Sequence, residues 1–575
     1  MKRSTYIWSL LVGCVAFATS CDLTENVQVK ADKSMIFGSK SGLELYSNSF
    51  YKALPTLKNG FMQDKMCDVG AVSNTDTFIK RGAYNTETAT SWSWGALKNV
   101  NYFIDGCNDP KYCTVEAETR DNYLGIARWF RAWFYYDKLT TYGEVPWFPN
   151  DIQSYQNDVM YKDRDSRDVI IRNLIADLDF AYEHIQATSS TGSATLTRWA
   201  AAALKSRVCL FEAAYRRYHN LTGLEITPEE LYREAAKAAK LVIDNSGCSL
   251  NTAAGKKGAY RDLFYSETPL TQEVILAVCA NEKSGIFGEQ NWWFNARSYG
   301  LCWSLVRSFV HTYLKQDGTP FTAAADYAVK SFAEEMEGRD LRLEQTVRGR
   351  NFLWDGKTAV ADIKNLSLTG YQVIKYTLDE SKYDGGAKNI NSIPLIRYAE
   401  VLLNYAEAKA ELGEMDAAVW DQTIAQLRSR AGVTPVVPDK ADPYMEAYFL
   451  NTVTDKWILE VRRERGIELC LEMGLRWDDD MRWHMGDLLT SDNNPWTGIW
   501  IGNTGYTYDF TGQSTDDNGD PVPDFYIRPG EDTEHSIAIS NTGANQTFSL
   551  NAAGNIVWEY KRTWGEKLSL IHISE

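Results

Sequence analysis

The chain is poor in the residues that hold metals and build redox centres. Ten Cys and six His are spread over 575 residues, with no C-x-x-C pair and no H-E-x-x-H, so no metal-ligand spacing is present. The G-x-S-x-G elbow of serine hydrolases is missing as well. Gly356-Lys357-Thr358 resembles the end of a phosphate-binding loop, but Asn351 stands where its first Gly belongs. Asp516-Asp517-Asn518-Gly519-Asp520 lacks the spacing and closing Glu of a calcium loop and reads as a solvated turn. Positive charge is scarce: 60 Lys and Arg face 76 Asp and Glu, a net charge of -16. That balance argues against nucleic acid, whose phosphates are met by clustered Lys and Arg. No Pro- or Ser-rich linker divides the sequence, which points to one large unit.

What is abundant is apolar and aromatic. Apolar residues make up 44% and aromatics 13%, with 19 Trp and 32 Tyr, enough for a large core with rings left over for a surface. At the N-terminus, Met1-Lys2-Arg3 precedes a mainly apolar run from Tyr6 to Ala18 and then Thr19-Ser20-Cys21. The run is too short to span a bilayer and has the layout of a secretion signal. A Cys after small residues resembles a lipobox, which makes Cys21 the expected lipidation site. Leu11-Val12-Gly13-Cys14 is formally a better lipobox, but cleavage there would leave Val15 to Ala18 exposed, so Cys21 is preferred. Asp22 and Glu25 resemble the acidic tag that routes lipoproteins to the cell surface. Among the remaining Cys, Cys107 and Cys113 are close enough to form a disulfide in an oxidising compartment, while Cys209 and Cys470 sit in apolar helical runs and read as core.

Helical periodicity dominates from Ser41 onward. Ala96 to Ile104, Asn122 to Tyr142, Val169 to Ile185, Arg198 to Tyr215 and Pro228 to Ile243 carry apolar residues at i, i+3, i+4 spacing. Pro394 to Gly432 predicts two helices with a stop at Gly413, small Ala residues marking close approach, in the manner of a tetratricopeptide unit. Between Ala253 and Asn391 the pattern shifts to short β-prone runs, Glu273–Val278 and Tyr371–Tyr376. The stretch from Trp457 to Trp483 reads as one helix with an apolar face. Its Glu460, Glu464, Glu468 and Glu472 lie at successive i,i+4 steps and require neighbouring cations, and Arg462, Arg463, Arg465 and Arg476 are the candidates. Arg476-Trp477, Asp478, Asp480 and Arg482-Trp483 suit a helix end locked by bidentate Arg–Asp bonds. Structural ion pairs are preferred to catalytic carboxylates here.

This segment resembles the E-R-x-x-E-L-x-x-E-G-x-R-W-x-D-x-x-R-W signature of the SusD/RagB family, with Met473 placed between the last Glu and Gly474. Ile126 to Tyr136 followed by Tyr142-Gly143-Glu144-Val145-Pro146-Trp147 resembles a second element of that family, as does Arg198-Trp199 to Ala214. The resemblance implies a mainly α fold, a SusD-like α/α superhelix of tetratricopeptide-like hairpins supporting a loop-rich ligand-binding face. It implies a lipoprotein signal peptide over 1–20, a SusD-like unit over 21–567 (an N-terminal part to about 250, a SusD/RagB part from about 251) and a non-native tail over 568–575 on a truncated C-terminus. That tail departs from the family ending, and its residues can be encoded by a sequencing-library transposon end.

The implied function is non-catalytic: an outer-membrane lipoprotein, facing the cell exterior, that captures an oligosaccharide or polysaccharide for a SusC-like TonB-dependent transporter, with no cofactor and no metal. The alternatives are a secreted glycan hydrolase on a helical scaffold and a peptide-binding scaffold. A sugar ring offers an apolar face and a rim of hydroxyls, so flat aromatic platforms beside Asn, Asp and Arg suit it. Such rings occur at Trp92 and Trp94 before a helix, and at Trp292, Trp293, Tyr299 and Trp303 in a Gly-bounded stretch. Family ligand contacts come from these two places, and Asp76 and Arg81 precede the first. The Trp292–Trp293 pair is the expected platform, since adjacent residues cannot both face one core.

Overall fold

The structure, a computed structural model, describes residues 33–58, 60–75, 92–296, 300–349, 351–358, 366–502, 507–508, 525–528, 536–538, 541–543 and 546–564. The signal region, Cys21, Asp76, Arg81, Tyr299 and the tail over 568–575 lie outside the described residues.

Helices α1 (Lys40–Ser47), α2 (Gly95–Asn108), α3 (Ala117–Tyr142), α4 (Arg167–His184), α5 (Arg198–Tyr218) and α6 (Pro228–Asn245) build the N-terminal half. They form where the periodicity predicts. Local chemistry fixes their starts: Ser166 accepts from the Val169 amide, and Thr227 and Glu230 close a capping box around Pro228. Packing is sequential, α3 on α4, α4 on α5 and α5 on α6, so each helix buries a face that its neighbour supplies. α5 is central, with every residue from Ala200 to Arg216 buried. Its Ala200-Ala201-Ala202-Ala203 start leaves room for backbones to approach closely. None of the helices among the described residues is long and apolar enough to cross a membrane.

Strand β1 (Val274–Val278) follows, then a six-residue helix α7 (Gln290–Asn295). β2 (Ile393–Arg397) pairs antiparallel with β1 and leads directly into α8 (Tyr398–Glu411), which packs on α6 and on α9 (Lys456–Glu468). The stop at Gly413 is real, with φ +69, but the stretch from Pro394 begins as strand rather than helix. Tyr371–Tyr376 forms no strand; Gln372 and Val373 make only isolated bridges to Ser304 and Val347. α10 (Leu475–Arg482) comes next. Beyond it, β3 (Trp496–Trp500), β4 (Asn541–Gly543), β5 (Gln546–Leu550) and β6 (Asn555–Tyr560) form a sheet in the order β4-β5-β6-β3.

Trp457 to Trp483 is not one helix. Leu471, Met473 and Gly474 take positive φ between α9 and α10, and at Gly474 (φ +81) a Cβ would meet Gln63 Oε1 at 2.4 Å. The predicted charge lattice is present: Arg463 pairs with Glu460 at 3.2 Å within the helix, whereas the cations on Glu464 and Glu468 arrive from distant segments. Glu464 accepts from Arg428 at 2.9 Å and Arg342 at 2.6 Å. Glu468 accepts from Arg342 at 2.7 Å, from Arg397 at 2.6 Å and from Arg430. Arg476 grips Asp68 through two 2.7 Å bonds, and Asp479 joins Arg465 to Arg482. All are buried, so each charge is held by partners rather than water. The Cys107–Cys113 disulfide is not formed: both thiols are free, Cys107 turned into the core at the end of α2 and Cys113 half-buried.

Candidate functional site

A cavity of about 930 Å³ opens between the first turns of α2 and the segment from Pro146 to Arg164, which is irregular apart from one helical turn at Asn157–Met160. Trp92, Trp94, Leu97, Lys98 and Asn101 form one side, and Phe148, Ile152, Met160, Tyr161, Lys162 and Arg164 the other. Volume and an apolar lining with few polar groups match what a small-ligand site requires.

The aromatic side is built from the core outward. Trp94 is half-buried against Phe134 (5.5 Å between ring centroids) and edge-on to Phe148 (5.4 Å). Trp92 stands edge-on to Trp94 at 5.1 Å and to Tyr142 at 4.9 Å. It remains 44% exposed, and Tyr161 across the opening is 79% exposed. The Arg164 guanidinium lies over the Trp92 ring, 5.5 Å from its centroid.

The opposite wall has no regular secondary structure from Pro146 to Asn150, so its backbone groups are satisfied by side chains. Asn101, 1% exposed, donates to the carbonyls of Phe148 (2.8 Å) and Asn150 (3.0 Å). Arg131 donates to the Pro149 carbonyl at 2.9 Å while two 2.7 Å bonds tie it to Asp177. Tyr135 Oη donates to the Pro146 carbonyl (3.2 Å) and accepts from the Phe148 amide (2.7 Å); burial pushes this phenol well above its ordinary range, keeping it neutral. Asp105 accepts from the Asn150 amide group and the Asp151 backbone, both at 2.8 Å. Lys162 is paired with Asp165 at 2.6 Å.

Of the predicted aromatic residues, the cavity gathers Trp92 and Trp94. Trp292 and Trp293 are half-buried on α7 and do not line it; Trp293 Nε1 donates to Glu289 at 3.2 Å. Trp303 corrects the expectation outright. It is 1% exposed and stacked on Phe294 at 5.2 Å, a core ring with no face for a ligand. The Pro146–Arg164 wall was not anticipated from sequence as part of a site. Its signal is a cluster of Phe148, Tyr155, Tyr161, Lys162 and Arg164 in a stretch without helical period. Among the described residues no group of three or more His, Cys, Asp or Glu is placed to hold a metal ion.

With fold and cavity in view, comparison with known proteins is specific. The SusD family model matches residues 272–563, about half of the chain, and the protein belongs to that family. It is 25% identical over 401 residues to SusD-like protein P38 of Formosa agariphila, an alignment covering 66% of this chain and 71% of that one. The fold superposes on a SusD-like carbohydrate binding protein of Bacteroides fragilis with a TM-score of 0.64 at 20% identity, covering 85% of this chain and 94% of the other. A further solved structure, with xylogluco-oligosaccharide, superposes with a TM-score of 0.53 at 18% identity, covering 86% and 93%.

Proposed function

We propose that this protein is a non-catalytic glycan receptor. It is anchored through Cys21 to the outer membrane, faces the cell exterior and delivers its ligand to a SusC-type TonB-dependent transporter. The observation that carries the reading is the cavity under Trp92 and Trp94, with Tyr161 opposite, in a chain of the SusD family. A pyranose presents an apolar face to the exposed part of the Trp92 ring and hydroxyls to the polar rim. The carbohydrate-binding description of the Bacteroides fragilis protein supports the same ligand class. Receptor rather than hydrolase is favoured because Asp163 is the one carboxylate among the described lining residues, whereas glycoside hydrolysis uses a facing pair.

Native affinity gels against a polysaccharide panel, run beside a reducing-sugar assay, test the reading. Retarded migration with no sugar released is expected. Sugar release would establish a hydrolase, and neither signal would refute glycan binding. Co-purification with a large barrel protein in mild detergent is expected for the transporter partnership, and recovery as a monomer from membranes that contain the partner would refute it.

A further inference from the structure

The charged groups lining the cavity are weighted toward cations. We infer that the ligand is an acidic glycan, carrying carboxylate or sulfate-ester groups, an inference that rests on the glycan reading above and narrows it. Lys98, Lys162 and Arg164 line the cavity against a single carboxylate, Asp163, in a chain whose net charge is -16. The site thus runs against the charge of the whole molecule.

Its amides are partly committed to the wall. Asn101 donates both its N–H groups to wall carbonyls and Asn150 donates to Asp105, so Asn101 holds the wall rather than reading sugar hydroxyls. The cations are freer. Lys162 is paired with Asp165, but among the described residues Lys98 and Arg164 have no carboxylate within ion-pair distance. Elsewhere in this structure buried guanidinium groups such as Arg131, Arg207 and Arg476 grip carboxylates two-handed. Arg164 is set apart. It is half-buried over Trp92, which orients its planar fork beside the ring on which a sugar would stack. A guanidinium held that way matches the two oxygens of a carboxylate or sulfate, and such charge-assisted pairs are about twice as strong as neutral hydrogen bonds. Lys98 lies one helical turn beyond Trp94 on the same wall and supplies a second positive point.

The test is binding of the full chain, in detergent, to an array of matched polysaccharides: polygalacturonate and its carboxyl-reduced form, sulfated glycans and their desulfated forms. At low salt, binding at least about tenfold tighter to the acidic member of a pair is expected, weakening steeply as NaCl rises. Carboxyl reduction and desulfation show which anion is read. Arg164→Gln and Lys98→Gln should reduce the acidic preference, while Trp92→Ala should weaken binding to acidic and neutral glycans alike. Equal, salt-insensitive binding to both members of every pair would overturn the acidic inference and leave the glycan reading standing. Unchanged binding of all glycans by Trp92→Ala would remove the cavity as the site, and no binding to any glycan would remove both. The parent chain alone decides the acidic preference, so a variant that fails to fold does not obscure it.

Discussion

Truncating Trp92 to Ala separates the cavity from every other aromatic cluster in the chain. The ring is 44% exposed, and a sugar stacked on that exposed part makes a contact worth about 1–3 kcal/mol by analogy with base–aromatic stacking. That corresponds to roughly a tenfold to hundredfold loss in affinity. The melting temperature should move only slightly. Trp92 meets Trp94 and Tyr142 edge-on and carries Arg164 on its face; at about 0.5–1.5 kcal/mol per ring pair and 0.5–1 for an exposed cation–π contact, the loss is roughly 1.5–4 kcal/mol. Spread over the unfolding entropy of a chain this long, that lowers the melting temperature by only about 1–3 °C. Isothermal titration with the glycan found on the array, beside a melting curve, measures both. Trp292→Ala and Trp293→Ala, whose rings do not line the cavity, should bind within about twofold of the parent, since the stacking contact is untouched. Trp303→Ala should cost somewhat more, about 3–5 kcal/mol for emptying a core aromatic, or roughly 3–4 °C on the same scale, with no loss of affinity. Parent-like affinity in Trp92→Ala, or an equal loss in Trp292→Ala, would refute the placement of the site.

Three further outcomes are expected. Asn101→Ala leaves the Phe148 and Asn150 carbonyls unpaired at about 1–3 kcal/mol each, so affinity should fall about tenfold and amide exchange over 146–151 should quicken; unchanged exchange would show that the wall holds itself. Burial pushes the Asp478 carboxyl up to about 7, although it accepts a 3.0 Å bond from Tyr136. The folded state therefore keeps a proton that the unfolded chain releases from about pH 4, and stability falls as pH rises from there to about 7, with no further loss above it. Asp478→Asn should gain stability over the parent in urea titrations at pH 8 and much less at pH 4.5, and an equal gain at both would refute the assignment. Cys21→Ala should fail to incorporate labelled palmitate, since anchoring requires the acyl chains that Cys21 would carry; continued labelling would move the site to Cys14.

Helices were legible because they are periodic. α4, α5 and α6 begin and end within a few residues of their apolar patterns, and the Thr227–Glu230 box announces the start of α6. The ion pairs of α9 were legible as a requirement, since four glutamates one turn apart cannot stand alone. Their main partners were not, because Arg342, Arg397, Arg428 and Arg430 reach α9 only through tertiary folding. The break after α9 was missed because Leu469, Met473 and Leu475 continue a helical spacing across it, and local φ at Leu471 to Gly474 overrides that spacing. Trp292 and Trp293 misled for a related reason: on a helix of six residues two adjacent rings can each be half covered by different neighbours. The Trp92 side of the cavity could be read, as rings placed before a helix. The other wall could not, because an irregular backbone held by Asn101, Arg131, Tyr135 and Asp105 leaves no period in the sequence.

The two halves of the chain carry different information. The family model spans residues 272–563, which hold β1, β2, α8, α9, α10 and most of the buried Arg–Glu lattice. The cavity is lined wholly by residues between Trp92 and Arg164, outside that span. Family membership thus follows from the part that builds the core, where each buried charge constrains several others and a single substitution leaves an uncompensated ion. On the proposed reading, ligand choice follows from a wall that side chains suspend and whose exposed residues include Tyr161 and Asp163. Such positions can change without endangering the fold. The ligand of a relative with the same core is therefore weak guidance to the ligand here, and the lining of this cavity, Trp92 beneath an Arg164 free of carboxylate partners among the described residues, is the stronger guide.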